Sequence, residues 1–169
     1  KIVVSLKNLE TGEVYRKSTD ILIGADGALS AVSRAASRND RHFTALVQAR
    51  VLLPEKTNGD TSQVWFDSDQ TKYFYWLIPE SNCVGAVGLI ADNIQGADAC
   101  LKAFLKKRGL EILEFQTALI PMHRFEWLRG FLTPARNVFV VGDAAAQVKV
   151  TTVGGVVTGL HGARALVTA

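Results

Sequence analysis

Residues 137–155 read NVFVVGDAAAQVKVTTVGG, and residues 20–34 read DILIGADGALSAVSR. Both open with an unbroken apolar run, Val138 to Val141 in the first and Ile21-Leu22-Ile23 in the second. Such short runs bounded by turn residues predict strands buried on both faces. Each run ends in an acid-glycine corner, Gly142-Asp143 and Gly24-Ala25-Asp26-Gly27. A helix is predicted beyond each corner, one N-capped by Ser30 and reaching about Ala36, the other from Gly154 to Ala169. In open α/β sheets, ligands bind outside the carboxyl ends of strands. There a glycine lets the backbone approach a ligand, and an aspartate can accept hydrogen bonds from ribose hydroxyls. Either corner alone reads equally well as a strand-exit turn. The pair, each followed by a helix, makes a nucleotide site the rival of two plain turns.

Between these stretches the pattern changes. Residues 1–19 predict a hairpin turning at Asn8 to Gly12. Segments 43–53, 62–66, 72–78 and 83–90 read as strands separated by short turn-rich breaks, which favours an antiparallel sheet. Residues 94–108 predict a helix with Ile94, Ala97, Leu101, Phe104 and Leu105 on one face, stopped by Gly109. Residues 116–128 read as mixed, with Pro121 as a break. The fold class expected is α/β, a nucleotide-binding Rossmann-like domain interrupted by a mainly antiparallel sheet. The domains are 1–40 and 129–169 for the first and 41–128 for the insertion.

The 169 residues are 48% hydrophobic and 21% charged, which excludes a disordered or collagen-like chain. A net charge of +3, without a basic stripe carrying aromatics, argues against nucleic acid as partner. Cys83 and Cys100 have no metal-ligand spacing, and His42, His123 and His161 are scattered. No metal site is expected, and a reducing, cytoplasmic setting is the natural one. The longest apolar stretch, 150–169, is broken by four glycines, His161 and Arg164 and does not read as a membrane span. The chain starts with Lys1 inside an apolar run and ends without a helix stop, so it reads as the middle of a longer protein.

Two further stretches carry candidate chemistry. Thr152, Gly154 and Gly155 lead into the last predicted helix, where open backbone N–H groups would suit an anionic or electron-rich group. The competing reading makes Gly155 and Gly159 close-packing residues on one helix face, against a sheet. Tyr73 to Pro79 is the densest aromatic stretch, with Phe74 and Trp76 on one strand face and Tyr73, Tyr75 and Leu77 on the other. Its rings could line a pocket for a flat or prenyl-like apolar substrate, or fill a core.

The stretch at 20–34 resembles the second nucleotide motif of flavoprotein monooxygenases of the p-hydroxybenzoate hydroxylase type, and 137–155 resembles their later Gly-Asp motif. Gln147-Val148-Lys149 and Thr151-Thr152 before Gly154-Gly155 look most like the geranylgeranyl reductase branch. The segment Phe74-x-Trp76-x-Ile78-Pro79 is similar both to that branch and to flavin-dependent halogenases. Ser33, Val150 and Val153 depart from the pattern, standing where Arg, Pro and Gly are usual.

The resemblance implies an FAD-dependent oxidoreductase reducing C=C bonds of an isoprenoid substrate. Asp143 would contact the ribose or ribityl chain of FAD, with Gly142 and Ala144 beside it. Asp26 and Gly27 would shape the pyrophosphate region, and Thr152, Gly154 and Gly155 would lie against the flavin ring. Phe74, Trp76 and Pro79 would line the substrate pocket. NAD(P)H is the candidate electron donor, and the enzyme could associate peripherally with a membrane. The alternatives are an oxygen-using monooxygenase or halogenase acting on an aromatic substrate, and a non-catalytic lipid-binding module.

Overall fold

A computed structural model describes residues 1–36, 42–54, 57–122, 137–149 and 151–168. It divides into two compact units, Lys1–His42 with Pro121–Ala169, and Phe43–Ile120. The expected boundaries at 41 and 128 lie outside the described residues, as do His123 and Val150.

The first unit opens with an antiparallel hairpin, β1 (Ile2–Lys7) and β2 (Val14–Thr19). Asn8 builds its turn by accepting the N–H groups of Glu10 at 2.9 Å and Thr11 at 3.2 Å. β3 (Leu22–Gly24) then pairs in parallel with β9 (Val138–Val140), Leu22 opposite Val138 and Gly24 opposite Val140. The short helix α1 (Ala31–Ala36) covers one face of this pair. Gly24 permits it, since a Cβ there would stand 2.7 Å from Val32 Cβ. The other face is open, contrary to the expectation of a strand buried on both sides. Ile21 and Ile23 are 57% and 51% exposed. Ile23 points away from α1, because side chains alternate along a strand and Gly24 is the residue facing the helix.

The chain continues past β9 into a 3-10 turn (Gly142–Ala145), a loop, and α3 (Val156–Thr168). α3 starts later than the predicted Gly154. The Gly154 carbonyl first closes the loop by accepting the Lys149 N–H at 3.1 Å.

The second unit is a five-stranded sheet in the order β5-β6-β7-β4-β8, with one helix, α2 (Ile94–Arg108). Its strands are β4 (His42–Leu52), β5 (Gln63–Trp65), β6 (Tyr75–Pro79), β7 (Val84–Ala91) and β8 (Ile112–Met122). Alternate residues of β4, β6 and β7 bury one face: Val47, Ala49 and Val51, Tyr75 and Leu77, Val87 and Leu89. They meet Ala97, Leu101 and Leu105, spaced four apart on α2. Asn93 caps α2 by accepting the Gly96 N–H at 2.7 Å, and Gly109 ends it in a left-handed conformation. Tyr75 stacks on Phe104 at 4.4 Å between centroids. Burial, helped by Cys100 and Asp67, pushes its phenol up to about 12, so it packs as a neutral group.

Two expectations are corrected here. Pro121 does not interrupt the chain; β8 runs from Ile112 through Met122 with Pro121 buried near its end. β8 is the last strand of the sheet, and an edge strand tolerates a residue without an N–H donor. The remainder of the predicted mixed segment, 123–128, lies outside the described residues. Phe74 precedes β6 and is not part of it.

Leu101 is fully buried at the centre of the helix–sheet core. Its replacement by Ala should lower stability by about 2–5 kcal/mol in urea unfolding of the protein. Ile94→Ala, at the exposed end of the same helix, should cost far less.

Candidate functional site

Parallel pairing fixes the geometry of the two acid-glycine corners. Because β3 and β9 run the same way and in register, Asp26-Gly27 and Gly142-Asp143 leave from the same end of adjacent strands. Gly27 and Gly142 are both left-handed, at φ +76° and +66°, where a side chain would be strained. In front of each, no atom of the described residues beyond its chain neighbours lies within 4 Å of the place a Cβ would take. α1 contacts both β9 and the Gly142–Ala145 turn, so the corners share a wall.

The aspartates have different duties. Asp26 reaches across to α1. Its Oδ2 accepts the N–H groups of Ala31 at 2.7 Å and Val32 at 3.4 Å, and its Oδ1 accepts the Ser30 hydroxyl. Ser30 Oγ in turn accepts the Ser33 N–H at 2.9 Å. One carboxylate and one hydroxyl therefore satisfy the opening turn of α1. Burial acts to raise the Asp26 pKa. Hydrogen bonds from Ser30 and from the backbone of Asp26, Ala31 and Val32 outweigh it and hold the carboxyl below its ordinary value. The sequence offered Asp26 as a ligand to a nucleotide; locally it is first a helix cap. Ser33 is buried on α1, whereas Arg34 is exposed.

The Asp143 carbonyl accepts the Ala146 N–H at 3.0 Å, while its carboxylate has no hydrogen-bond partner among the described residues. The carboxylate lies over Gly155, where a Cβ would come within 2.7 Å of Asp143 Oδ1. Gly159, one turn on, would bring a Cβ within 3.3 Å of Gly142 Cα. Gly162 continues the same face, and a Cβ there would run into the Gln147 amide at 2.1 Å. The close-packing reading of Gly155 and Gly159 thus applies with a different partner. The glycines press on the Gly142–Gln147 turn.

Gln147 entered the sequence reading only as part of the resemblance, and its structural part is new. Its Oε1 accepts the Gly142 N–H at 2.8 Å, and its own N–H donates to the Gly142 carbonyl at 3.1 Å. Thr158 of α3 donates to the Gln147 carbonyl. Only the small-residue spacing at 155, 159 and 162 hinted at this bracket.

Ala144 is buried inside the turn. Thr152 is exposed on the loop, and Val153 is left-handed at φ +49°. The Val153 N–H donates to the Lys149 carbonyl at 2.8 Å. The Lys149 side chain curls over Gly154, with Nζ 3.9 Å from the place of its Cβ. An ammonium thus stands beside backbone N–H groups at the start of α3, an environment suited to negative charge.

In the second unit, Trp76 and Phe74 lie on the sheet face opposite α2, with centroids 6.2 Å apart. Phe66 extends the row at 6.0 Å from Phe74. Pro79 ends β6, paired with Gly85.

No family model matches the chain. It is 29% identical over 151 residues to a geranylgeranyl diphosphate reductase of Synechocystis sp., covering 82% of this chain and 35% of the relative. It is 28% identical over 147 residues to the chloroplastic geranylgeranyl diphosphate reductase of Oryza sativa subsp. japonica, covering 81% and 30%. The chain spans about a third of the length of these curated relatives. Among solved structures, a geranylgeranyl bacteriochlorophyll reductase-like protein of Thermoplasma acidophilum superposes with a TM-score of 0.69 at 17% identity. That match covers 89% of this chain and 40% of the other. A flavin-dependent halogenase superposes with a TM-score of 0.64 at 22% identity, covering 95% and 31%. The resemblance to geranylgeranyl reductases therefore holds in sequence, and the chain shares its fold with a geranylgeranyl bacteriochlorophyll reductase-like protein and a flavin-dependent halogenase. Among the described residues, no helix is long and apolar enough to cross a membrane.

Two outcomes test the local geometry. Asp26→Ala should cost about 1 kcal/mol near neutral pH through the lost cap. Because the folded carboxyl titrates below its unfolded value, the contribution is present above that value. The gap between Asp26→Ala and the parent should close as pH falls through the folded pKa, as followed by urea unfolding at several pH values. Gly162→Ala should push the Gln147 amide off the Gly142 N–H at a cost of about 1 kcal/mol. Amide exchange at Gly142 should quicken.

Proposed function

We propose that this chain carries the second half of an FAD cradle and the substrate-facing sheet of an oxidoreductase that reduces C=C bonds of an isoprenoid substrate. The observation that carries the reading is the parallel β3–β9 pairing, which aligns two acid-glycine corners with open space before both glycines. The chemistry of the corners suits FAD. Gly27 and Gly142 let backbone approach a phosphate or ribityl chain without a side chain between. Asp143, with Gly142 and Ala144, would hold ribose or ribityl hydroxyls. Thr152, Gly154 and Gly155, with Lys149 alongside, would face the electron-rich edge of the flavin ring. Asp26 would act chiefly by fixing α1, and through it the wall of the site.

When bound and reduced, FAD supplies hydride, with NAD(P)H proposed as the donor that reduces it. The chain's own part is to bind, orient and exclude water. Phe74, Trp76 and Pro79 offer an apolar surface for an isoprenoid chain, and the names of the curated relatives favour that substrate class. A second reading, an oxygen-using flavoenzyme, draws support from the fold match to a flavin-dependent halogenase. Peripheral membrane association follows from the apolar substrate and is proposed with it.

The intact protein should purify yellow. Anaerobic reduction by NADPH or dithionite, then addition of geranylgeranyl diphosphate, should reoxidise the flavin and yield a chain with fewer double bonds by mass spectrometry. Rapid reoxidation by oxygen, stimulated by an aromatic compound and without prenyl reduction, would transfer the assignment to the oxygen-using class. A colourless protein that takes up no added FAD would end both readings.

A further inference from the structure

On the sheet face opposite α2, a single row crosses four strands. Val64 of β5 pairs with Trp76 of β6, Trp76 with Gly88 of β7, and Gly88 with Gln48 of β4. The Trp76 ring lies flat across Gly88, where a Cβ would come within 2.3 Å of Trp76 Cζ2 and 2.8 Å of the Val47 carbonyl oxygen. It reaches Gln48, whose Oε1 accepts its Nε1–H at 3.3 Å. Gln48 Nε2 donates to Gln116 Oε1 on β8 at 3.3 Å, and Gln116 Nε2 donates to Glu114 Oε1 at 3.1 Å.

This chain of bonds has a fixed direction. The indole N–H can only donate, so the Gln48 atom facing it is oxygen. The Gln48 NH₂ must then face Gln116, whose own NH₂ is left for Glu114, which as a carboxylate can only accept. A donor-only end and an acceptor-only end leave each amide one arrangement. The rings on the other side grade from Phe66, 80% exposed, through half-buried Phe74 to Trp76, 9% exposed. The apolar row thus ends at the one ring that a polar network pins.

We propose that Gln48 is a positioning residue for the substrate surface: it holds the Trp76 indole flat over Gly88, so that the Phe66–Phe74–Trp76 row presents a fixed apolar track to an isoprenoid chain. The inference rests on the isoprenoid-reductase reading above. Gln48 acts only through Trp76 and takes no part in hydride transfer.

The test uses the intact flavoprotein labelled with 5-fluorotryptophan, with the Trp76 ¹⁹F signal identified by its loss in Trp76→Phe. Gln48→Leu removes the acceptor while keeping the side chain's bulk. It should move and broaden the Trp76 signal. It should also raise KM for geranylgeranyl diphosphate about fivefold, the worth of one hydrogen bond, with kcat and flavin content unchanged. Gln48→Glu keeps an oxygen facing the indole and, with the Gln116 amide turned over to donate to it, should restore both. An unmoved Trp76 signal in Gln48→Leu would overturn the positioning role. A moved signal with unchanged KM would overturn the link to substrate. Gly88→Ala should shift the same signal from beneath the ring, provided the sheet still forms; the Gln48 pair decides if it does not. If the parent reduces no prenyl substrate although the Trp76 signal responds to Gln48→Leu, the isoprenoid reading fails and the track fails with it. The Gln48–Trp76 contact alone would then survive.

Discussion

The pairing of Leu22–Gly24 with Val138–Val140 is the contact on which the first unit depends. It is only three residues long on each strand, yet it joins segments separated by roughly a hundred residues of chain. Loop closure does not forbid this, because its entropic cost grows with the logarithm of loop length, about 0.6 kcal/mol per doubling. The intervening chain also does not behave as a free loop. β4, its first strand, and β8, its last, are neighbours in the five-stranded sheet, and the Leu52 N–H donates to the Glu111 carbonyl at 3.0 Å. That bond joins the end of β4 to the start of β8, so the antiparallel pair brings His42 and Met122 to the same end. The sheet's own pairing therefore spans most of the loop that joins β3 to β9.

The stretch from Gly142 to Gly162 follows from that contact. Once β9 is fixed beside β3, the chain must turn sharply and bring α3 back across the turn. The return is possible because the face at 155, 159 and 162 carries no side chains. Gln147 fills the resulting space and satisfies the Gly142 N–H. The same bareness lets the Asp143 carboxylate stand over Gly155, while the Lys149 side chain curls over the neighbouring Gly154. The observed packing and the proposed ligand contacts thus draw on one set of glycines.

What was legible in the sequence was local. Residues 1–19 form a hairpin, 94–108 form α2 with Asn93 before it and Gly109 after it, and Ser30 caps α1. What was not legible depends on neighbours far along the chain. The apolar run at 21–23 looked buried on both sides, but no periodicity tells how many faces a strand will find covered. Pro121 looked like a break because a proline's cost depends on the strand's place in the sheet, and only the strand order makes β8 an edge. The capping role of Asp26 was hidden because the sequence shows a carboxylate at a corner and conceals that α1 folds back to take it. Gln147 was legible as part of a motif but not as a bracket, because its partners Gly142 and Gly162 meet it only in the fold.

The same distinction separates how well cofactor and substrate can be inferred. The two corners are contiguous motifs of strand, turn and helix, so their chemistry survives as a readable string and resemblance in the string speaks to the cofactor. The row Val64, Trp76, Gly88 and Gln48 is assembled across β5, β6, β7 and β4, one residue from each, and its polar end draws on β8. Register, not sequence neighbourhood, brings Trp76, Gly88 and Gln48 together. The fold itself is shared with a reductase-like protein and with a halogenase, so it does not choose the substrate. A substrate assignment for such a chain has to rest on cross-strand contacts, where the side chains that would touch the substrate are held.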